Sequence, residues 1–121
     1  MSDSTLERLI DRYVAAWNAP DPAASHAHLK EVWAEHGVYV DPTVHAVGAG
    51  ELVAHIFRVQ ARRPDTRIVL TSGIDAHHDT LRFLWKRAHA DGTKVVDGID
   101  IAVIERGRIA RMTGFFGPLP F

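Results

Sequence analysis

Two carboxyl groups and a phenol are the residues best equipped for chemistry. Asp41 closes the apolar run Val38-Tyr39-Val40 and is followed by Pro42. Asp100 lies in a run where period-two counting puts Val96, Gly98 and Ala102 on its own strand face. Small, apolar neighbours around one carboxyl imply a cavity rather than a filled layer. They also offer it few partners, and desolvation favours the protonated, hydrogen-bond-donating form of an acid. Tyr13, on the apolar stripe of a helix, is a neutral donor at ordinary pH. Each has a plainer reading. Asp-Pro is a turn former, and a tyrosine on an apolar stripe is more often core. Asp100 could instead pair with Arg87 across neighbouring strands, and a nearby cation would hold the carboxyl ionised.

The helices and strands that must position these groups follow from local signals. Ser4 and Glu7 have capping-box spacing and predict a helix start. Leu6, Leu9, Ile10, Tyr13, Val14 and Trp17 then recur on one helical face. Asn18 to Pro22 ends that helix; Asp21 and Pro22 can begin the next. Leu29, Val32 and Trp33 form its stripe, and Gly37 is its expected stop. A short strand Val38–Asp41, a Gly-rich loop and a third helix near 51–61 follow, with Leu52, Val53, Ile56 and Phe57 inward. After Pro64 the pattern changes to strands, over 67–71, 80–87, 94–105 and 108–116. They are broken by turn signals at His77-His78-Asp79, Asp91-Gly92 and Arg106-Gly107. Helices first and strands after predicts an α+β domain, with helices on one face of an antiparallel sheet.

The totals narrow the function classes. At 121 residues the chain fits one domain over 1–121, large enough for a core without staples. A formal net charge of −1 argues against nucleic acid as a partner and against a polybasic membrane surface. With no cysteine, zinc–thiolate sites, disulfides and cysteine nucleophiles are excluded. The eight histidines show no metal-ligand spacing with a carboxylate, so no metal is expected. His36 and His55 could approach a pocket mouth. The N-terminal residues carry no secretory pattern and no run could span a bilayer, which leads to the expectation of a cytoplasmic protein. Val95, Ile99, Ile101 and Val103 leave an apolar outer sheet face, which a second copy in a two-fold dimer would cover.

Several stretches resemble one known superfamily across nearly the whole chain. They are Arg12-Tyr13-Val14, Trp17-Asn18-Ala19-Pro20-Asp21, Trp33 to Pro42, Asp97 to Asp100 and Met112 to Phe116. The chain resembles the ketosteroid isomerase and SnoaL-like branch of the nuclear-transport-factor-2-like superfamily. The resemblance implies a cystatin-like cone, with N-terminal helices packed on a curved sheet that encloses an apolar pocket. It implies that Asp41 shuttles a proton while Tyr13 and a neutral Asp100 donate to the developing oxyanion, with no cofactor. Trp17, Trp33, Phe57, Phe83, Trp85, Arg87, Met112 and Phe116 are the expected substrate-binding residues. Trp33 and Phe57 stand where isomerases often carry supporting tyrosines, and Arg87 is not isomerase-like and would suit an anionic or strongly polar substrate. The expected function is proton-transfer chemistry, isomerase or cyclase in type, on a small hydrophobic carbonyl compound. Non-catalytic binding of an apolar ligand and a protein-interaction module are the alternatives.

Overall fold

A computed structural model describes residues 2–120, so the two end residues of the expected 1–121 domain lie outside it. Helix α1 (Asp3–Trp17) begins two residues earlier than anticipated. Ser2, not Ser4, is the N-cap, with Oγ accepting from the Thr5 amide at 3.3 Å. Asp3 then lies in the first turn, where a carboxylate favours the helix dipole. Helix α2 (Pro22–Val32) starts as expected, with Asp21 Oδ1 accepting from Ala24 N at 2.8 Å and Pro22 in the first turn.

The end of α2 differs from expectation. Trp33 is already extended and opens strand β1 (Trp33–Asp41). Its indole folds back along the strand and Nε1 donates to Gly37 O at 3.1 Å. A side chain on Gly37 would come within 2.6 Å of that indole nitrogen. Gly37 therefore seats a tryptophan rather than stopping a helix, and the strand's pairing slips between Trp33 and Val38. The expected loop after Pro42 contains a further strand, β2 (Val44–Val47), which forms a hairpin with β1. Helix α3 (Gly48–Arg62) begins before residue 51 because Glu51 reaches back, its Oε1 accepting from Val47 N at 3.0 Å.

The remaining strands are β3 (Thr66–Leu70), the unanticipated β4 (Asp75–His77), β5 (Thr80–His89), β6 (Lys94–Glu105) and β7 (Arg108–Phe116). The seven described strands form one sheet in the order β2-β1-β7-β6-β5-β3, with β4 also on β5. One pairing departs from an antiparallel sheet: β1 runs parallel to β7. The two are joined by a long connection through α3 and the other strands, as a parallel pair requires. The inner sheet face packs on the helices through residues including Ile10, Leu29, Leu52, Leu81, Ile109 and Met112. Asn18, just past α1, clasps β3: its amide nitrogen donates to Ile68 O at 2.9 Å and its oxygen accepts from Ile68 N at 2.8 Å. Gln60 ties α3 to the same corner through Trp17 O and Ala19 O.

Period two assigns the faces of β6 correctly. Gly98, Asp100, Ala102 and Ile104 are buried, while Ile99 and Ile101 are half-buried and Val103 is exposed. On the outer face Leu84, Ile99 and Phe115 stand in one cross-strand row, with Phe115 53% exposed. On the inner face the Trp85 indole lies against Gly98. An added methyl there would overlap the Phe115 carbonyl oxygen and stand 2.7 Å from Trp85 Cζ2. Gly98→Ala is therefore expected to destabilise the protein by roughly 1–3 kcal/mol through overpacking. Urea unfolding should show a lower midpoint; an unchanged midpoint would mean that β6 and Trp85 can separate freely.

Candidate functional site

A cavity of about 160 Å³ opens between the helices and the inner sheet face. It is walled by Tyr13 and Trp17 of α1, Tyr39 and Asp41 of β1, and His55 and Val59 of α3. Phe83, Trp85 and Arg87 of β5, Val96 and Asp100 of β6, and Phe116 of β7 complete the sheet side. Arg62 and Arg63, both exposed, lie at its rim. The cavity thus brings together Tyr13, Asp41 and Asp100, and five of the expected lining residues: Trp17, Phe83, Trp85, Arg87 and Phe116. The other three lie elsewhere. Trp33 stacks on Tyr13 from behind, with ring centroids 5.9 Å apart. Met112 is wholly buried in the core and Phe57 packs half-buried against it.

The strand order places the two carboxyl groups on either side of β7. Asp100 pairs with Gly114, and Asp41 follows Val40, the partner of Thr113. A methyl on Gly114 would stand 3.0 Å from Asp100 Oδ1 and 3.5 Å from Asp41 Cβ. The glycine therefore leaves open the space across which the two acids face each other.

Their surroundings set them apart. Asp41 ends the strand in a side-chain-capped turn: Oδ1 accepts from the Thr43 amide and the Thr43 hydroxyl, each at 2.7 Å. Oδ2 accepts from the Tyr39 hydroxyl at 2.7 Å and lies 3.7 Å from His55 Nε2, an electrostatic contact rather than a hydrogen bond. Burial alone would raise its pKa, but His55, Thr43 and Tyr39 together bring it down to about 2. Asp100, 5% exposed, receives one hydrogen bond, from Trp85 Nε1 to Oδ1 at 2.9 Å. Burial, reinforced by the charge of Asp41, outweighs that bond and raises its pKa to about 7. The Tyr13 hydroxyl is buried without a hydrogen-bond partner. Burial first, then the field of Asp100, pushes its pKa well above the ordinary phenol value, so it stays protonated and can donate.

Arg87 does not pair with Asp100. Its register partner is Val96, four residues along β6, and among the described residues no carboxylate lies within 4.0 Å of it. Nη1 donates to Thr66 Oγ1 at 3.0 Å, while the buried Nη2 has no partner.

Tyr39 and Thr43 were not among the expected site residues; of the two histidines expected near a pocket mouth, His55 lines the cavity and His36 does not. Tyr39 could have been found from its spacing, since residues two apart on a strand share a face and Tyr39 precedes Asp41 by two. His55 stands three residues after Leu52, on the inward stripe of α3. Its approach to Asp41 depends on how α3 crosses the sheet, which local pattern does not encode.

A family model for the SnoaL-like domain matches residues 10–112. The chain belongs to the SnoaL-like family. Its fold is shared with a SnoaL-like family protein from Agrobacterium tumefaciens, provisionally assigned as an isomerase (30% identity, TM-score 0.88, covering 95% of this chain and 99% of that one). A Sinorhizobium meliloti protein provisionally assigned as a polyketide cyclase matches at 17% identity and TM-score 0.71, over 94% and 99% of the two chains. A cystatin-like protein of unknown function from Methylobium petroleophilum matches at 19% and 0.77, over 100% and 81%. Among curated proteins no match is found. No helix among the described residues is long and apolar enough to cross a membrane.

The pKa of Asp100 makes stability depend on pH with a definite sign. Below 3.8 the carboxyl is protonated in both folded and unfolded chains; between 3.8 and about 7 only the folded chain keeps the proton. Stability from the neutral carboxyl is thus full below 3.8 and lost as pH rises through 7. The shift at Asp41 has the opposite sign and operates below 3.8. Relative to the parent protein, Asp100→Asn should gain stability steadily from pH 4 to 7 and then level off. Urea titrations at a series of pH values test this, and a pH-independent difference would mean that Asp100 is ionised when folded.

Proposed function

We propose that this SnoaL-like protein is a one-domain enzyme that moves a proton alpha to the carbonyl of a small apolar compound. One observation carries the reading: two neutral O–H donors, Tyr13 and Asp100, line the same cavity as an ionised carboxylate paired with a histidine. Preorganised donors aimed at developing charge are the equipment for stabilising an enolate. Asp41, held near 2 by its hydrogen bonds, is a weak base in isolation. Imidazole is the side chain suited to taking a proton near neutrality. His55 accepts the substrate's α proton, and Asp41 positions the ring and offsets the charge formed. The C–H electron pair passes to the carbonyl oxygen, where Tyr13 and Asp100 donate. Returning the proton at a vinylogous carbon shifts a double bond. Attack of the enolate on a second carbonyl closes a ring instead. The isomerase and polyketide cyclase assignments of the Agrobacterium and Sinorhizobium proteins agree with these two outcomes.

The cavity's size limits what lies inside it. A dry cavity of about 150 Å³ holds a benzene-sized molecule. One ring is enclosed, and a four-ring steroid would project through the rim. The proposed chemistry is tested with cyclohex-3-en-1-one, by following the ultraviolet absorbance of the conjugated enone. Asp41→Asn and His55→Gln are each expected to lower the rate by about 10²-fold or more, and Tyr13→Phe by a similar factor. Full activity in Asp41→Asn would remove Asp41 from the chemistry, and no turnover in the parent protein with ligand still bound would favour a binder without chemistry.

Two copies joined through the outer sheet face would cover the Leu84–Ile99–Phe115 row, an apolar strip across three strands. Light scattering should then report a dimer in the parent protein and a monomer in Phe115→Lys; a monomeric parent would refute the dimer.

A further inference from the structure

The chemistry proposed above uses one end of the cavity. The other end holds a feature it does not explain. Arg87 is 2% exposed and sits on an inner strand face between apolar residues. Its Thr66 contact satisfies one nitrogen, Nη2 remains buried and unpaired, and the residue lines the cavity. Burial lowers the pKa of its guanidinium, and the cation of Arg63 acts in the same direction. A buried cation without a counter-ion is costly. Apolar side chains of similar volume would be expected to stabilise the wall better. Asp100 lies away from it, four residues from the level of Arg87 or about 13 Å of strand rise, and Asp41 makes no ion pair with it. Arg62 and Arg63 add positive charge at the rim, and the Arg63 carbonyl accepts from Thr66 Oγ1 at 2.6 Å. The cavity is therefore bipolar, with acid–base groups at one end and unpaired positive charge at the other.

We infer that the ligand of this cavity carries a carboxylate, seated on Arg87, at the end remote from its reacting carbonyl. A guanidinium that lines a pocket and keeps a nitrogen unpaired fits a planar carboxylate, because its fork can donate two parallel hydrogen bonds. Arg62 and Arg63 attract such an anion to the rim. The substrate class is then a one-ring keto acid rather than a neutral ketone. This inference rests on the proposed carbonyl chemistry for the ligand's other end, but its test does not.

The test is calorimetric titration with 4-oxo-4-phenylbutanoate and with 4-oxo-4-phenylbutanamide, a neutral compound of nearly the same shape. The acid is expected to bind roughly tenfold or more tightly than the amide. Arg87→Met should erase that preference while leaving amide binding in place, and Arg87→Lys should retain part of it. The ligand-free melting temperature of Arg87→Met is expected to rise, which would also show that the variant folds. Equal binding of acid and amide, binding of neither, or a preference that survives Arg87→Met overturns the inference. The cyclohexenone assay carries no anion and reports separately: lost turnover with the acid preference intact would remove the proposed chemistry and leave the carboxylate site standing.

Discussion

Two carboxyl groups facing each other across Gly114 repel if both are ionised, and the cavity is built around the way that conflict is resolved. Asp41 stands at a strand end, where a turn amide, two hydroxyls and an imidazole can reach it. Asp100 stands mid-strand, where one indole N–H is its hydrogen-bond donor. The same negative charge that is well solvated by protein groups at one position is poorly solvated at the other, so near neutrality one acid stays ionised and its neighbour holds a proton for much of the time. The asymmetry needs no unusual residue; it follows from where each aspartate sits in the sheet.

The packing around this pair serves the same end. Gly98 lets the Trp85 ring lie flat on β6 and reach Asp100, two residues along from its register partner. Gly37 does the equivalent for Trp33, whose ring backs Tyr13 and leaves the phenol little freedom. Each aromatic side chain occupies the space of an absent Cβ, and each holds a polar group of the cavity in place. Interiors packed this closely transmit small changes in volume, so these glycines influence the site without touching anything bound there.

Much of this was legible in the sequence. The helix-then-strand order, the inward faces of β5 and β6, and the gathering of Tyr13, Asp41 and Asp100 all follow from period counting and from the resemblance at Asp41-Pro42 and Asp100. The misreadings share a physical cause. Gly37 looked like a helix stop, and residues 44–47 like loop, because glycine and turn residues are locally ambiguous. A glycine that relieves contact with a distant ring has the same letter as one that ends a helix. Trp33, Phe57 and Met112 were expected at the cavity because apolar type does not say which of two apolar environments a side chain enters. The separation of Arg87 from Asp100 depended on strand register, which two residues of slippage would have changed.

The clasp between Asn18 and Ile68 has a consequence outside the cavity. β3 ends the sheet, so the backbone groups on its outer side are open to pairing with another chain. At Ile68 both groups are already taken by a single side-chain amide, which imitates one residue of a neighbouring strand. A foreign strand laid along this edge would have to displace an amide held by the end of α1, itself bound through Trp17 and Ala19 to Gln60. The corner that joins helix to sheet thereby also guards the edge against edge-to-edge aggregation, and it does so without a charge, a proline or a bulge at Ile68.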